Sequence, residues 1–295
     1  MAETDKEQRR DDLILGAHLS ISGGLHKALE EAESLGCQAV QIFTKNASTW
    51  REKNLSDAEI KRFNQARKQT GISAIAAHTA YLINLAAKDA AVSEKSTAAL
   101  KQELIRCEQL AIPWLVLHPG SHMGDGEKTG IKRITDKINH IFRELPDNPT
   151  RLLLETTAGQ GTSLGCTFEQ LADMMQKISY TDNIGICLDT CHIFAAGYDL
   201  SDKKSYEETM KSFDEILGIK NLYVIHANDA QKPCGSRVDR HAHIGRGMIG
   251  NQGFSCLVKD KRLAQIPKIL ETPKKENSTN MDPENLARLR ELYLS

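Results

Sequence analysis

The sequence predicts an α/β fold, a single (β/α)8 TIM barrel, on three observations. Eight short apolar runs recur along the chain, each run is followed by an amphipathic helical pattern, and 295 residues suit one closed barrel. An open doubly wound sheet is the alternative that shares this alternation. No Gly/Ser-rich linker or composition break divides the chain.

The apolar runs are "LILGAH" (13–18), "AVQIFT" (39–44), "ISAIAAH" (72–78) and "WLVLH" (114–118) in the first half. "RLLLE" (151–155), "IGICLD" (184–189), "LYVIH" (222–226) and "IPKILE" (266–271) follow. They are rich in Ile, Leu and Val and little alternated, as strands buried on both faces read. Between them, "GLHKALEEAESLG" (24–36) places Leu25, Ala28, Leu29, Ala32 and Leu35 on one stripe, with Gly36 as a C-terminal stop. "SDAEIKRFNQARKQTG" (56–71) opens with Ser56 and has Glu59 three residues on, a capping-box signature. Helical patterns at 91–111, 130–145, 167–178, 205–217, 253–260 and 282–294 complete the series.

Apolar residues make up 40% of the chain, enough for a sizeable core. No apolar stretch approaches a membrane span. The first twelve residues, "MAETDKEQRRDD", are charged and lack an apolar centre, so they predict a flexible tail (1–12) ahead of a barrel domain (13–295), not a secretory signal. Seven scattered cysteines argue against a disulfide framework and for a reducing compartment, the cytoplasm, with the nucleus or mitochondrion as alternatives. Lys plus Arg is 38 against 39 Asp plus Glu, a formal charge of −1, without the basic excess usual in nucleic-acid binders.

Seven of the eight runs stop at or beside a His, Asp or Glu: His18, His78, His118, Glu155, Asp189, His226 and Glu271. In a barrel the C-terminal strand ends surround one mouth, so these side chains converge. One such residue reads as a cap or surface group. Seven crowded together would repel or desolvate one another unless cations bind them. The loops add His192, three residues after Asp189, and Asp239 and His241, two apart in "SRVDRHAH". His243 shares the parity of His241, and spacing leaves it open. His122, beyond a Pro-Gly turn, reads as a loop residue.

Imidazole and carboxylate donors favour zinc, with manganese or iron as alternatives. The donors exceed the need of one tetrahedral ion and suit a cluster of two or three sharing a bridging carboxylate. Such clusters hydrolyse phosphodiesters, because they generate hydroxide near neutral pH, polarise phosphoryl oxygens and neutralise the leaving alkoxide. Cys187 lies inside an apolar run and reads as a small hydrophobe, and Cys191 as packing.

Taken in order, "HTAYLINLA" (78–86), "VLHPGSH" (116–122), "LLLETTAGQG" (152–161), "CLDTCHIFAAGYD" (187–199), "VIHANDA" (224–230) and "SRVDRHAHIGRG" (236–247) resemble the endonuclease IV family of apurinic/apyrimidinic endonucleases. The resemblance runs from about Gly16 to beyond Glu271. It implies a (β/α)8 barrel with three zinc ions at its mouth, acting on double-stranded DNA; that no apolar patch stands out beyond the barrel's own needs predicts a monomer. It implies cleavage on the 5′ side of abasic sites, leaving a 3′-hydroxyl and a 5′-deoxyribose phosphate, and trimming of blocked 3′ ends. Carried over residue by residue, His78 and His118 hold one ion and Glu155 bridges it to a second. Asp189, His226 and Glu271 complete the second ion's own ligand set, and His192, Asp239 and His241 hold the third ion. The resemblance selects His241 over His243 and leaves His18, His122 and His243 outside the ligand set.

Three divalent cations would shift the formal charge of −1 to about +5 and draw phosphate to the mouth. Lys45, Arg51, Arg237, Arg240 and Arg246 are candidate backbone contacts. The resemblance further implies a bent duplex with the abasic nucleotide flipped out and side chains pushed into the gap. Tyr81 and Leu82 match two of those positions. "FTKNASTWR" (43–51), with Lys45 and Asn46, matches the loop that meets the second strand. An arginine commonly stands two residues after that Asn; here Ser48 does, and it cannot fill a base-sized gap.

Two other readings predict different chemistry. A sugar isomerase or epimerase barrel uses mostly carboxylates around one or two ions. A non-catalytic zinc or DNA-binding protein has closed ligand shells.

Overall fold

The computed structural model describes residues 13–50 and 53–295. The tail expected at 1–12, and Arg51, lie outside the described residues.

Strands and helices alternate as the sequence predicts. The first half runs β1 (Leu15–His18), α1 (Leu25–Ser34), β2 (Ala39–Phe43), α2 (Asp57–Thr70), β3 (Ala74–His78), α3 (Ala90–Gln109), β4 (Trp114–Leu117) and α4 (Glu127–Glu144). Then come β5 (Arg151–Glu155), α5 (Phe168–Lys177), β6 (Ile184–Asp189), α6 (Thr190–Ala196), α7 (Lys203–Ile216) and β7 (Leu222–His226). A two-stranded ribbon, β8 (Asp229–Ala230) with β9 (His241–Ala242), precedes α8 (Gly250–Lys259) and β10 (Lys268–Leu270). A second ribbon, β11 (Lys275–Glu276) with β12 (Thr279–Asn280), leads into α9 (Asp282–Leu294).

Eight of these strands close into a parallel barrel in the order β1-β10-β7-β6-β5-β4-β3-β2. Pairing of Leu15 with Lys268 and of Gly16 with Ile269 seals the ring, which excludes the open sheet. No helix among the described residues is long and apolar enough to cross a membrane.

Local sequence sets the helix ends. The Ser56 side chain accepts from the Glu59 amide and the Glu59 carboxylate accepts from the Ser56 amide, so the expected capping box is formed. Each such cap contributes about 1 kcal/mol. After α1, Gly36 turns the chain at φ 64°, a conformation that costs other residues more. His192, expected in a loop after β6, lies instead in helix α6, whose start the Asp189 carboxylate caps by accepting from the His192 amide at 2.8 Å.

Two apolar layers hold the barrel. The larger lies between the strands and the helices, with Leu15, Ile42, Ile75, Leu115, Leu152, Ile186, Ile225 and Leu270 facing outward into it. The smaller fills the interior with Ala39, Ala76, Val116, Leu153, Cys187, Val224 and Ile269. Below it, the Arg151 guanidinium lies 4.2 Å over the Tyr223 ring. A register shift between β6 and β7 lets Tyr223 and Val224 both join the interior.

The interior layer positions the site. Strand side chains repeat every two residues, so the residue two steps on from each interior residue also points inward, one layer higher. From Ala39, Ala76, Val116, Leu153, Cys187, Val224 and Ile269 that step reaches Gln41, His78, His118, Glu155, Asp189, His226 and Glu271. Gly16 leads to His18 in the same way.

Candidate metal centre

The polar layer closes over the apolar one as a ring of imidazoles and carboxylates. Glu155, at the end of β5, is fully buried at its centre. The Nε2 atoms of His78 and His118 each lie 3.0 Å from its Oε2. On its other side, His226 Nδ1 lies 2.9 Å from Oε1. The same nitrogen is 3.2 Å from Glu271 Oε2 and 3.9 Å from Asp189 Oδ2. A third cluster stands at the rim, with Asp239 in ion-pair range of His192 Nε2 at 3.2 Å and of His241 Nε2 at 3.3 Å.

All nine candidate ligands therefore meet at one mouth. They fall into three groups whose donor atoms lie within 4.8 Å of one another: His78, His118 and Glu155; Glu155, Asp189, His226 and Glu271; and His192, Asp239 and His241. A cavity of about 770 Å³ opens above them between Phe43, Tyr81 and the loop after β10.

Backbone carbonyls orient the imidazoles. His78 Nδ1 donates to the Thr79 carbonyl at 2.8 Å, His192 Nδ1 to the Thr156 carbonyl at 2.8 Å, and His241 Nδ1 to the Glu271 carbonyl at 3.0 Å. Each ring then turns Nε2 toward a carboxylate, the outer-shell arrangement usual for histidine ligands. A bare lone pair facing a carboxylate oxygen is repulsive, and a proton or a divalent cation between them removes the repulsion.

The electrostatics carry the signature of that contest. Burial opposes a charged His78, but the hydrogen bond and charge of Glu155 outweigh it and raise the pKa. Burial likewise opposes a charged His192 or His241, yet the nearby carboxylates of Asp189 and Asp239 push them up to about 10 and about 9. Burial works to raise Glu155, but the His118 and His226 imidazoles hold its carboxyl well below the usual range. Glu271 is depressed against its own burial, mainly by His226 and His18.

The residues fit divalent cations. His241 Nε2 is buried and makes no hydrogen bond, although it stands in ion-pair range of Asp239. His18 Nε2 is also buried without a partner among the described residues. Cys187 stands beside the Glu155 and His226 group, but burial pushes its thiol up to about 12, so it stays a protonated hydrophobe. Cys191 approaches the Arg240 carbonyl at 3.6 Å and is buried.

Several sequence expectations are refined. His243 is set apart from the centre, with Nδ1 3.1 Å from the Asn285 amide nitrogen on α9. The His122 imidazole accepts from the Gly124 and Gly126 amides and shapes its own turn. His18 is no bystander: its Nδ1 lies 2.9 Å from Glu271 Oε1. Arg246 is paired with Glu276 at 2.7 Å and with Glu284, so two carboxylates already offset its charge.

The loops around the mouth carry the remaining candidates. Tyr81 is 72% exposed and Leu82 36%, with the Tyr81 ring edge-on to Phe43 at 5.4 Å. Asn46 and Ser48 are exposed, and the Asn46 side chain accepts from the Ser48 amide. Lys45 is largely buried and donates to the Thr49 carbonyl at 3.3 Å. Arg240 is exposed beside Asp239, to whose carbonyl it donates.

Some supporting residues escape a search for ionisable strand ends. Asn228 donates to Asp189 Oδ2 at 2.6 Å and accepts from the Glu271 amide at 2.8 Å. The Thr156 hydroxyl accepts from the Asp189 amide at 2.9 Å. Gln41, fully buried, touches His226, Glu271 and His18. A lone glutamine inside the apolar run "AVQIF", two residues beyond an interior Ala, is the signal that could have found it.

Comparison with known proteins agrees with this architecture. A family model described as a xylose isomerase-like TIM barrel matches residues 29–292. The probable endonuclease 4 of Chloroflexus aggregans is 50% identical over 277 residues, covering 94% of this chain and 96% of the relative. The probable endonuclease 4 of Geotalea daltonii is 45% identical, covering 94% and 97%.

The chain belongs to the endonuclease IV family.

It is therefore a nuclease. Among solved structures, endonuclease IV from Thermus thermophilus superposes with a TM-score of 0.83 at 35% identity, covering 94% of this chain and 98% of that one. A D-tagatose 3-epimerase-like protein superposes at 0.72 with 19% identity, covering 96% of this chain and 97% of that one, a likeness of fold alone. Such a likeness shows the barrel fold and carries no function with it.

Proposed function

We propose that this endonuclease IV family member is a zinc-dependent phosphodiesterase of base excision repair. It cuts double-stranded DNA on the 5′ side of abasic sites, leaving 3′-hydroxyl and 5′-deoxyribose phosphate ends, and trims blocked 3′ ends. One observation carries the reading: three donor groups meet at the mouth, two of them sharing Glu155.

His78, His118 and Glu155 would hold one ion. Glu155, Asp189, His226 and Glu271 would hold the second, and His192, Asp239 and His241 the third. Manganese or iron is the alternative at individual positions. Such ions, when bound, supply Lewis acidity toward the phosphoryl oxygens and activate water at neutral pH.

The chain's own residues do the rest. Glu155, common to two donor groups, would serve two ion sites and contribute negative charge to both. The carbonyl-tethered imidazoles are pre-aimed, so little reorganisation accompanies reaction. Tyr81 and Leu82, exposed at the rim, enter the stack at the lesion, and Lys45, Asn46 and Arg240 line the path of the backbone. The protein works as a monomer in the compartment that holds the DNA, the bacterial cytoplasm.

A duplex with a single abasic site tests this reading. Incision 5′ to the site in zinc-replete buffer is expected, lost with a chelator and restored by added zinc. An intact duplex, with turnover of a free ketose instead, would transfer the protein to the epimerase class.

A further inference from the structure

We propose that Gln41 is the residue that aims His226 into the metal centre and couples it to Glu271. The inference rests on the metal-centre reading above and assigns a role to a residue outside the ligand set.

The argument starts from hydrogen-bond sign. Gln41 Nε2 lies 2.6 Å from Glu271 Oε1, and its Oε1 lies 2.8 Å from His226 Nε2. An ionised carboxylate only accepts, so the amide must turn its NH2 toward Glu271. Its carbonyl oxygen is then fixed toward His226, and an oxygen acceptor there requires a proton on His226 Nε2. The lone pair of a neutral His226 is thereby placed on Nδ1, the nitrogen that faces Glu155, Glu271 and Asp189.

This orientation is opposite to that of its neighbours. His78, His192 and His241 are tethered through Nδ1 and offer Nε2. His226 offers Nδ1 and needs a different anchor on its far side. Gln41 is that anchor. It is fully buried, so no water competes for the bonds. One amide therefore sets the tautomer of one candidate ligand and pins one oxygen of another, leaving Glu271 Oε2 for the ion. His18, 2.9 Å from the same Glu271 oxygen, adds a second pin.

The test reads metal binding and tautomer, not cleavage. Zinc uptake is titrated against a chromophoric chelator for the wild type and Gln41→Leu. One class of sites is expected to weaken by roughly 10- to 100-fold in the variant, the usual cost of losing an outer-shell partner. The wild-type protein, labelled with 15N histidine and loaded with zinc, is expected to show one buried imidazole protonated at Nε2 and coordinated through Nδ1. That signal is assigned to His226 by its loss in His226→Gln. A His226 ring protonated at Nδ1, or zinc binding unchanged in Gln41→Leu, would overturn the role of Gln41. A wild type that takes up no zinc would overturn the metal-centre reading instead. The spectrum of the wild type decides the question even if Gln41→Leu fails to fold.

Discussion

Glu155 and His226 stand 71 positions apart in sequence and 2.9 Å apart in space. Their strands, β5 and β7, are not neighbours in the barrel; β6 lies between them. The contact therefore crosses the interior above the apolar layer. The whole centre depends on this kind of closure, in which residues from separate strands meet at one height.

Glu155 is common to two donor groups. Replacing it with Gln keeps the shape, removes the charge and puts an amide NH2 among imidazoles. Elemental analysis of Glu155→Gln is expected to show loss of the two ions that share it, with the rim ion of His192, Asp239 and His241 retained. Cleavage of an abasic duplex is expected to fall by at least about 10²-fold in kcat, the range for removing one electrostatic stabiliser.

The pH dependence of the metal-free protein follows from the imidazoles. His192 and His241 are raised from 6.5 to about 10 and about 9 by Asp189 and Asp239, against burial. Their stabilising contribution is complete below about 6.5 and is lost as pH rises through 9 and 10. Depressed carboxyls such as Asp239 contribute above their unfolded range and lose their effect on acidification. The melting temperature of chelator-treated protein is expected to fall from pH 6.5 to pH 10. Zinc needs the imidazoles deprotonated, so the gap between loaded and stripped protein is expected to widen over the same range. Parallel melting curves at all pH values would contradict this coupling.

Asp229 is buried behind the rim and gathers one loop. Its carboxylate accepts from the amides of Ala230 at 2.8 Å, Gly245 at 3.0 Å, Gly247 at 2.9 Å and Ile249 at 2.9 Å. The loop packs so closely that a Cβ on Gly247 would meet Asp229 Oδ1 and the Ala230 carbonyl at 2.5 Å. Asp229→Asn turns a donor toward donors and leaves amides unpaired, each costing about 1–3 kcal/mol. A lowered urea midpoint is expected, together with weaker zinc binding at the rim group that His241, on the adjoining β9, helps to form.

Ser48 stands where the family commonly has an arginine. Ser48→Arg is expected to tighten binding to an abasic duplex, because a guanidinium can stack in the gap that a hydroxymethyl leaves open. Tyr81→Ala is expected to act in the other direction, weakening binding by about 1–3 kcal/mol if its ring stacks on a base. Zinc content is expected to stay unchanged in both, and fluorescence anisotropy separates the two effects.

The barrel was legible because both of its periodicities are short-range. Strand runs end where ionisable residues begin, and the two-residue repeat carries His78, His118, Glu155, Asp189, His226 and Glu271 to one height. Residues that act through hydrogen bonds were not legible in this way. Gln41 hides inside an apolar run, and Asn228 and Asp229 follow His226 in a motif whose only ionisable strand end is that histidine. The start of α6 was concealed because Asp189 is at once a strand end, a helix cap and a candidate ligand. Spacing alone could not choose between His241 and His243; the contact of His243 with Asn285 on α9 separates them.

The central claim is that one mouth cages several cations through shared carboxylates. Anomalous X-ray scattering at the zinc edge, from crystals of zinc-loaded protein, tests it most directly. The account predicts three peaks per chain, with Glu155 between two of them and the third enclosed by His192, Asp239 and His241. A single peak, or peaks remote from Glu155, would contradict it.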